Sequence, residues 1–158
     1  MIPETLAAAI YCLTLNVYFE ARGEPIIGQY AVAHVTINRA KEKQQSICKT
    51  VTDPYQFSWT IKGVAKVEGS SITLNPGWHP ADLKAWAASQ DVAKHAIRGF
   101  WNPIGPATFF HVVEIKRRWS EGLIQVGTIG RHVFYARPKD MVDTGFRETY
   151  QPIAYLMP

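Results

Sequence analysis

The sequence NVYFEARGEP, residues 16–25, lies where a long apolar run meets the first helix-breaking residues of the chain. Upstream and into this stretch, apolar residues recur at steps of four, three and four, the spacing of one helical face: Leu6, Ile10, Leu13 and Val17. One further step of three residues reaches Glu20. The face that should pack on the core therefore ends in a carboxyl group, and apolar surroundings oppose its ionisation. A carboxylic acid that keeps its proton near neutral pH can act as a general acid.

A simpler explanation for Glu20 stays open. A glutamate in the last turn of a helix is usually solvated or paired with a cation, and Arg22 and Arg39 are the candidate partners here. The helix itself is predicted from Pro3 to about residue 21, because Pro suits a first turn and Gly23 with Pro25 ends the pattern.

The remaining pattern predicts a mainly helical α+β protein, a single domain over residues 1–158. A second helix is expected over 27–41, and a third begins near Pro80 and ends before Gly99. Residues 42–80 are predicted to be a long irregular segment, functional or partly helical. Strands are expected over 108–113 and 131–135, forming a small antiparallel β element.

Composition excludes a disordered chain and leaves the partner open. Hydrophobic residues make up 47% and charged residues 19%, with a net charge of +4. A mildly basic chain suits a polyanionic partner, either nucleic acid or a bacterial wall with acidic polymers. The two cysteines, Cys12 and Cys48, lack metal-site spacing and are interpreted as buried free thiols rather than a disulfide.

Cofactor and membrane motifs do not occur in the sequence. The five histidines show no spacing typical of zinc sites, and no nucleotide-binding or nucleophile-elbow motif is present. We therefore expect an activity without metal or cofactor. The N-terminus lacks the basic region of a signal peptide, and the apolar run is too short to span a bilayer. We expect a protein made in the cytoplasm, without stable membrane insertion.

Several blocks of the sequence resemble the SleB-type, spore-cortex-lytic family of cell-wall hydrolases, which has many bacteriophage members. The most specific blocks are YFEARGEP (18–25), GQYAVAHV (28–35) and NR (38–39). Weaker blocks follow in the same order: ICKTV (47–51), QFSW (56–59), ATFFH (107–111), Trp119 and IGRHVFY (129–135). The chain departs from the family at Phe19, where many members have Gly, and in an insertion-like region at 61–80.

The resemblance implies a lysozyme-like fold and cleavage of the glycan strands of peptidoglycan, with Glu20 as the catalytic acid. The best candidates to hold the sugar can donate hydrogen bonds without adding fixed charge: Thr108, His111, His132 and Tyr135, with Asn38 behind them. Peptidoglycan is thus the expected partner, and a monomer is favoured.

A second carboxylate is hard to find, although hydrolysis of a glycosidic bond usually uses two. Glu24 precedes a proline, Asp53 lies in a loop and Glu114 follows the first strand. A route with Glu20 alone is therefore favoured over hydrolysis by water. In it, Glu20 protonates the glycosidic oxygen and then deprotonates the C6 hydroxyl of muramic acid, giving an anhydro sugar.

Two other functions stay open. The basic residues Arg117, Arg118 and Arg131, together with Lys116, lie near Trp119 and Tyr135, as in modules that bind nucleic acid. An inactive wall-binding protein is the other alternative. The apparent lack of a signal peptide favours a phage endolysin released through a membrane pore, or a virion-borne enzyme.

Overall fold

Two long helices form the centre of the molecule. A computed structural model gives the structure for these parts of the chain: residues 3–61, 64–68, 71–115 and 117–143. Helix α1 spans Leu6–Ala21 and helix α2 spans Ile26–Lys43, which confirms the first two predicted helices. None of the helices in the described ranges combines the length and apolar character needed to cross a bilayer.

Helix α1 is buried on more sides than the sequence pattern predicted. Leu13 and Val17 of the predicted stripe are fully buried, but Leu6 is 53% exposed. Asn16, on another face, is also fully buried. Its amide donates to Thr36 Oγ1 over 3.0 Å, and its oxygen accepts the indole N–H of Trp59 over 2.9 Å. The helix is surrounded because three other helices pack against it, so one stripe cannot describe its core contacts.

The predicted irregular segment at 42–80 contains short regular elements. Helix α3 spans Ile47–Thr52, and a 3₁₀ turn spans Ser58–Ile61. Strands β1 (Ala65–Glu68) and β2 (Ser71–Leu74) pair antiparallel. The expectation that this segment is partly helical is confirmed by α3 and the 3₁₀ turn. The β1–β2 pair was not predicted, because strands of four residues are too short to show a period.

Helix α3 carries one half of a disulfide. It packs against α1 and brings the Cα atoms of Cys12 and Cys48 to 5.2 Å, and the two residues are bonded. The prediction of free thiols was wrong. A separation of 36 residues along the chain says nothing about packing between two helices, and this packing decides the pairing.

Helix α4 spans Leu83–Ile97 and confirms the third predicted helix. Asp82 is its N-cap, and the carboxylate accepts the N–H of Ala85 over 2.9 Å. The chain leaves the helix through Gly99, whose φ of +84° is a conformation that glycine adopts easily.

A three-stranded antiparallel sheet lies beside the helices. Its strands are β3 (Phe109–Val112), β4 (Ile124–Ile129) and β5 (His132–Ala136), in the order β3-β5-β4. This confirms the predicted β element; β4 was not predicted because glycines surround it. Helix α5, Pro138–Asp143, follows. Buried residues of the sheet pack on α2, and this packing fixes β3 next to the C-terminal end of α1.

Candidate active site

A cleft of about 600 Å³ opens between the C-terminal end of α1 and strand β3. Glu20 and Arg39 reach it from α1 and α2, and residues 55–58 form one lip. Strand β3 forms the opposite wall, extended by Arg117 and Trp119 and by His132 at the start of β5. The structure thus brings three predicted site residues to one cleft: Glu20, His111 and His132.

Glu20 lies half-buried in the last turn of α1, next to a buried guanidinium. Burial lowers the pKa of Arg39 to about 10, and the charge of Glu20 acts in the opposite direction. Arg39 is therefore a cation at neutral pH. The other candidate partner, Arg22, instead has its guanidinium carbon 4.8 Å from the ring centroid of Tyr18. The surroundings of Glu20 are thus less apolar than the sequence predicted.

Arg39 is fixed by two further contacts. Its Nε donates to the carbonyl of Thr108 over 2.6 Å, and its guanidinium carbon lies 5.1 Å from the ring centroid of Phe57. These contacts join α2 to both walls of the cleft. They hold the cation in one place beside Glu20, where a flexible lysine would lack the planar fit.

His111 and Tyr135 form a hydrogen-bonded pair on the β3 side. His111 Nε2 lies 3.0 Å from the Tyr135 hydroxyl, and Nδ1 lies 2.7 Å from the carbonyl of Val112. A carbonyl only accepts, so Nδ1 carries a proton and donates it to the carbonyl of Val112. The ring of Trp119 packs against both His111 and Tyr135, with centroids 5.6 Å and 5.9 Å away. This cluster places polar edges and an exposed ring along one wall.

His132 is a neutral group in the floor of the cleft. It is 4% exposed, and burial lowers its pKa, while the charge of Glu24 acts in the opposite direction. Its Nδ1 is buried and has no hydrogen-bond partner among the described residues. A neutral imidazole there can give or accept one hydrogen bond without adding charge.

Asn38 and Thr108 lie apart from this cleft. They line a separate hollow of about 400 Å³, bordered also by Lys41, Glu42 and Asp140. The Asn38 amide donates to the carbonyls of Gly105 and Ala107, over 2.7 Å and 2.9 Å. These bonds hold the loop that leads into β3. The Asn38 side chain therefore supports the wall of the cleft and is not part of its described lining.

Glu24, the second glutamate of the EARGE block, ties two distant turns together. Its Oε2 accepts the backbone N–H of Arg131 over 2.9 Å, in the turn between β4 and β5. The sequence analysis, which noted only that Glu24 precedes a proline, did not predict this contact across 107 residues. Gly130 makes it possible: its φ is +55°, and a Cβ atom would collide with Glu24 Oε2.

The aromatic residues of the 55–78 region divide between core and cleft. Trp59 is 3% exposed and stacks on Phe19, so it is a core residue. Trp78 is half-buried and packs against Trp86. Tyr55, in contrast, is 88% exposed on the lip of the cleft. The QFSW block marked this segment but not Tyr55. Arg39 was marked as a candidate partner of Glu20 and by the NR block of the resemblance.

No group of three or more metal-binding side chains gathers anywhere in the ranges that the structure describes. The described lining of the cleft offers one carboxyl group, two imidazoles, a phenol and two guanidinium groups.

Comparison with known proteins gives a consistent picture. The sequence model of a family described as cell wall hydrolase matches residues 23–135. The spore cortex-lytic enzyme of Bacillus cereus is 29% identical over 121 residues, which is 75% of this chain and 40% of that protein. That of Oceanobacillus iheyensis is 32% identical over 122 residues, 75% of this chain and 38% of that protein. The chain thus spans about two fifths of the length of these curated relatives.

Solved structures share the fold. The catalytic domain of the germination-specific lytic transglycosylase SleB from Bacillus anthracis is 25% identical, with a TM-score of 0.60. The alignment covers 85% of this chain and all of that domain. The catalytic domain of SleB from Bacillus cereus gives a TM-score of 0.58 at 24% identity, over 85% of this chain and 95% of that one. The predicted lysozyme-like α+β fold is confirmed.

Proposed function

The chain belongs to the cell wall hydrolase family, and from that membership we propose that it cleaves peptidoglycan glycan strands with Glu20 as its single acid and base. The proposal rests on which ionisable side chains line the cleft. Among the described residues, Glu20 is the one carboxylate that lines it. The family match begins at Gly23, so Glu20 rests on its position in the cleft and on the resemblance of the EARGE block.

The other candidate carboxylates are engaged elsewhere. Asp53 is bound by Lys43, Lys49 and Gln45, and hydrogen bonds from these groups outweigh burial and hold its pKa far below the usual range. Glu114 lies 3.4 Å from Arg131 Nε, outside the cleft lining. Glu24 accepts from the backbone of Arg131. None of the three belongs to the described lining of the cleft, which supports a mechanism with Glu20 alone.

The proposed reaction uses Glu20 twice. First its carboxyl proton passes to the glycosidic oxygen, the bond from C1 of muramic acid to that oxygen breaks, and C1 gains oxocarbenium character. The carboxylate of Glu20 then takes the proton of the C6 hydroxyl, and O6 bonds to C1. Glu20 ends protonated, as it began, and no water is consumed. The product carries a 1,6-anhydro ring.

Neighbouring residues support each half of this cycle. The fixed guanidinium of Arg39 stabilises the carboxylate that Glu20 becomes after the first proton transfer. His132 and the His111–Tyr135 pair offer hydrogen-bond donors and acceptors for the hydroxyl and acetamido groups of the sugar. Asn38 and Thr108 act behind the wall, by holding the loop before β3 and by binding Arg39 through the Thr108 carbonyl.

Glu20→Gln tests the proposal. The substitution keeps the shape of the side chain and removes the proton donor, so release of soluble fragments from purified peptidoglycan should fall about 10²–10⁴-fold. Glu68→Gln is the matched control, since Glu68 is exposed on β1. It should cleave at the wild-type rate. Near-wild-type turnover by Glu20→Gln, with an unchanged melting temperature, would show that another group is the acid.

The biological setting is a separate part of the proposal. The curated relatives are named spore cortex-lytic enzymes, whereas we propose a role in phage-mediated lysis of the host wall. The disulfide between Cys12 and Cys48 is typical of proteins that work in oxidising surroundings, which supports action at the wall. Digestion of vegetative walls and of spore cortex, side by side, tests the setting: faster cleavage of cortex would contradict it.

A further inference from the structure

Two exposed arginines follow strand β3 at the mouth of the cleft. Arg117 is part of the cleft lining, and Arg118 is the next residue. In the part of the chain that the structure describes, neither guanidinium forms an ion pair. Other arginines do have acidic partners, as Arg131 has Glu114 and Arg137 has Glu42.

The ionisable groups of the cleft leave the charge of Arg117 uncompensated. Glu20, the one carboxylate in the described lining, interacts with the buried guanidinium of Arg39. His132 is held neutral by burial, which lowers its pKa. Arg117 therefore keeps a positive charge on the rim that no acidic side chain among the described residues pairs with, facing the space that the substrate enters.

Exposed aromatic rings flank this charge. Trp119 is 44% exposed, and its ring packs on Phe109 and His111 with centroids 5.6 Å from each. Across the cleft, Tyr55 is 88% exposed with a φ of +62°, an unusual conformation for a residue with a side chain. Such rings offer apolar faces to sugars, and the cation beside Trp119 offers an ionic contact for a substituent on the sugar.

We propose that Arg117, with Trp119 beside it, forms a subsite for a carboxylate carried by the peptide on muramic acid. The subsite makes peptide-bearing, anionic glycan a better substrate than glycan whose carboxylates are neutralised. This inference rests on the proposed function and names the part of peptidoglycan that the cleft selects. It also accounts for the basic and aromatic residues that would otherwise indicate a nucleic-acid interface.

The test compares native peptidoglycan with a sample whose carboxylates have been converted to methylamides by carbodiimide coupling. Wild-type protein should release fragments from the native sample about tenfold faster, the size expected for a hydrogen bond to a charged group. Arg117→Gln should bring the ratio of the two rates close to one. Arg98→Gln, an exposed arginine at the end of α4, is the control and should keep the wild-type ratio.

Binding gives a readout that does not need catalysis. Glu20→Gln protein should co-sediment more with native than with amidated peptidoglycan, and the difference should shrink in high salt. Equal binding to both samples would overturn the subsite, whatever the rates are. Cleavage of both samples at equal rates would do the same while leaving the proposed function intact. If wild-type protein binds selectively but cleaves neither sample, the proposed function fails and the subsite stands.

Binding to nucleic acid is the remaining outcome of the test. Binding of a single-stranded oligonucleotide as tight as binding to native peptidoglycan, at equal ionic strength and lost in Arg117→Gln, would assign the rim to nucleic acid and overturn the inference.

Discussion

Arg39 lies beside Glu20 and is held there by contacts with other residues. Arg39 reaches Glu20 from a different helix and is fixed by the carbonyl of Thr108 and the ring of Phe57. The cation therefore keeps its place while the charge of Glu20 changes. In the proposed reaction the cation stabilises Glu20 after it has lost its proton, before the carboxylate takes the proton of the C6 hydroxyl.

The buried histidines predict how the stability of the fold depends on pH. Burial lowers the pKa of His34, outweighing its hydrogen bond to the carbonyl of Phe100, which acts in the opposite direction. The unfolded chain takes up a proton near the ordinary value of about 6.5, while folded His34 resists it. This contribution to stability is complete above that value and is lost as the pH falls below it.

His34→Gln should therefore flatten the fall in stability between pH 7.5 and 5, since a glutamine amide can donate to Phe100 without titrating. We expect a smaller loss of stability on acidification in the variant than in the wild type, because the variant no longer has a histidine whose pKa burial lowers. Urea unfolding at several pH values measures it. His132, whose pKa is also lowered, accounts for the pH dependence of stability that remains in the variant. Parallel profiles for variant and wild type would contradict the assignment.

At the scale of elements, two cross-links between distant segments involve α1 or the turn that follows it. Glu24 joins the turn after α1 to the turn between β4 and β5. The disulfide joins α1 to α3. Both contacts anchor α1, the helix that carries Glu20, so the position of the carboxylate depends on contacts far away in the sequence.

Gly130→Ala tests the first cross-link. A Cβ atom at this position would collide with Glu24 and lie 3.0 Å from Pro25 Cδ, and the φ of +55° disfavours a side chain. We expect a loss of about 1–3 kcal/mol of unfolding free energy. Gly23→Ala is the matched control, since a Cβ atom there meets nothing within 4 Å. Equal losses in the two variants, measured by urea unfolding, would argue against a role for the close contact.

Removal of the disulfide tests the second cross-link. Replacing Cys12 and Cys48 together with serine should cost about 3–4 kcal/mol, from the entropy that a loop of 36 residues regains in the unfolded chain. Thermal unfolding of the wild type with and without reductant should show the same loss. Thiol titration of denatured, unreduced protein should find no free thiol; two free thiols would restore the interpretation made from the sequence.

Long elements and local motifs were predictable, and contacts between distant segments were not. The periodicity of α1 and α2, and the aromatic and β-branched residues of β3 and β5, indicated those elements directly. Helix α3, the β1–β2 pair and β4 are too short or too rich in glycine for a period to show. The disulfide and the Glu24–Arg131 contact depend on how helices and turns pack, and spacing along the chain does not encode that.

The same limit applies to the candidate site. Glu20 was marked by an apolar stripe and a motif, and His111 and His132 by the strands that carry them. Tyr55 and Arg117 reach the cleft from loops, where no periodicity exists. Asn38 and Thr108 were selected by residue type, but the structure uses their backbone and amide contacts to build the wall.

At the scale of the whole molecule, the fold places Glu20 in a cleft where, among the described residues, it is the one carboxylate and the other charged side chains are arginines. The candidate second acids lie outside the described cleft lining, bound by lysines, by a guanidinium or by a backbone N–H. A two-carboxylate hydrolase needs a second acid about 5–10 Å from the first. This arrangement favours the route in which the C6 hydroxyl of the sugar, rather than water, attacks C1.

Mass spectrometry of digested peptidoglycan tests the single-carboxylate mechanism most directly. We predict fragments that end in 1,6-anhydromuramic acid, lighter by one water than hydrolysis products and unchanged by borohydride. Glu20→Gln should yield neither product, so the wild-type fragments can be assigned to this site. Fragments with reducing muramic acid ends, which borohydride converts to the alcohol, would show that water attacks and would contradict the account.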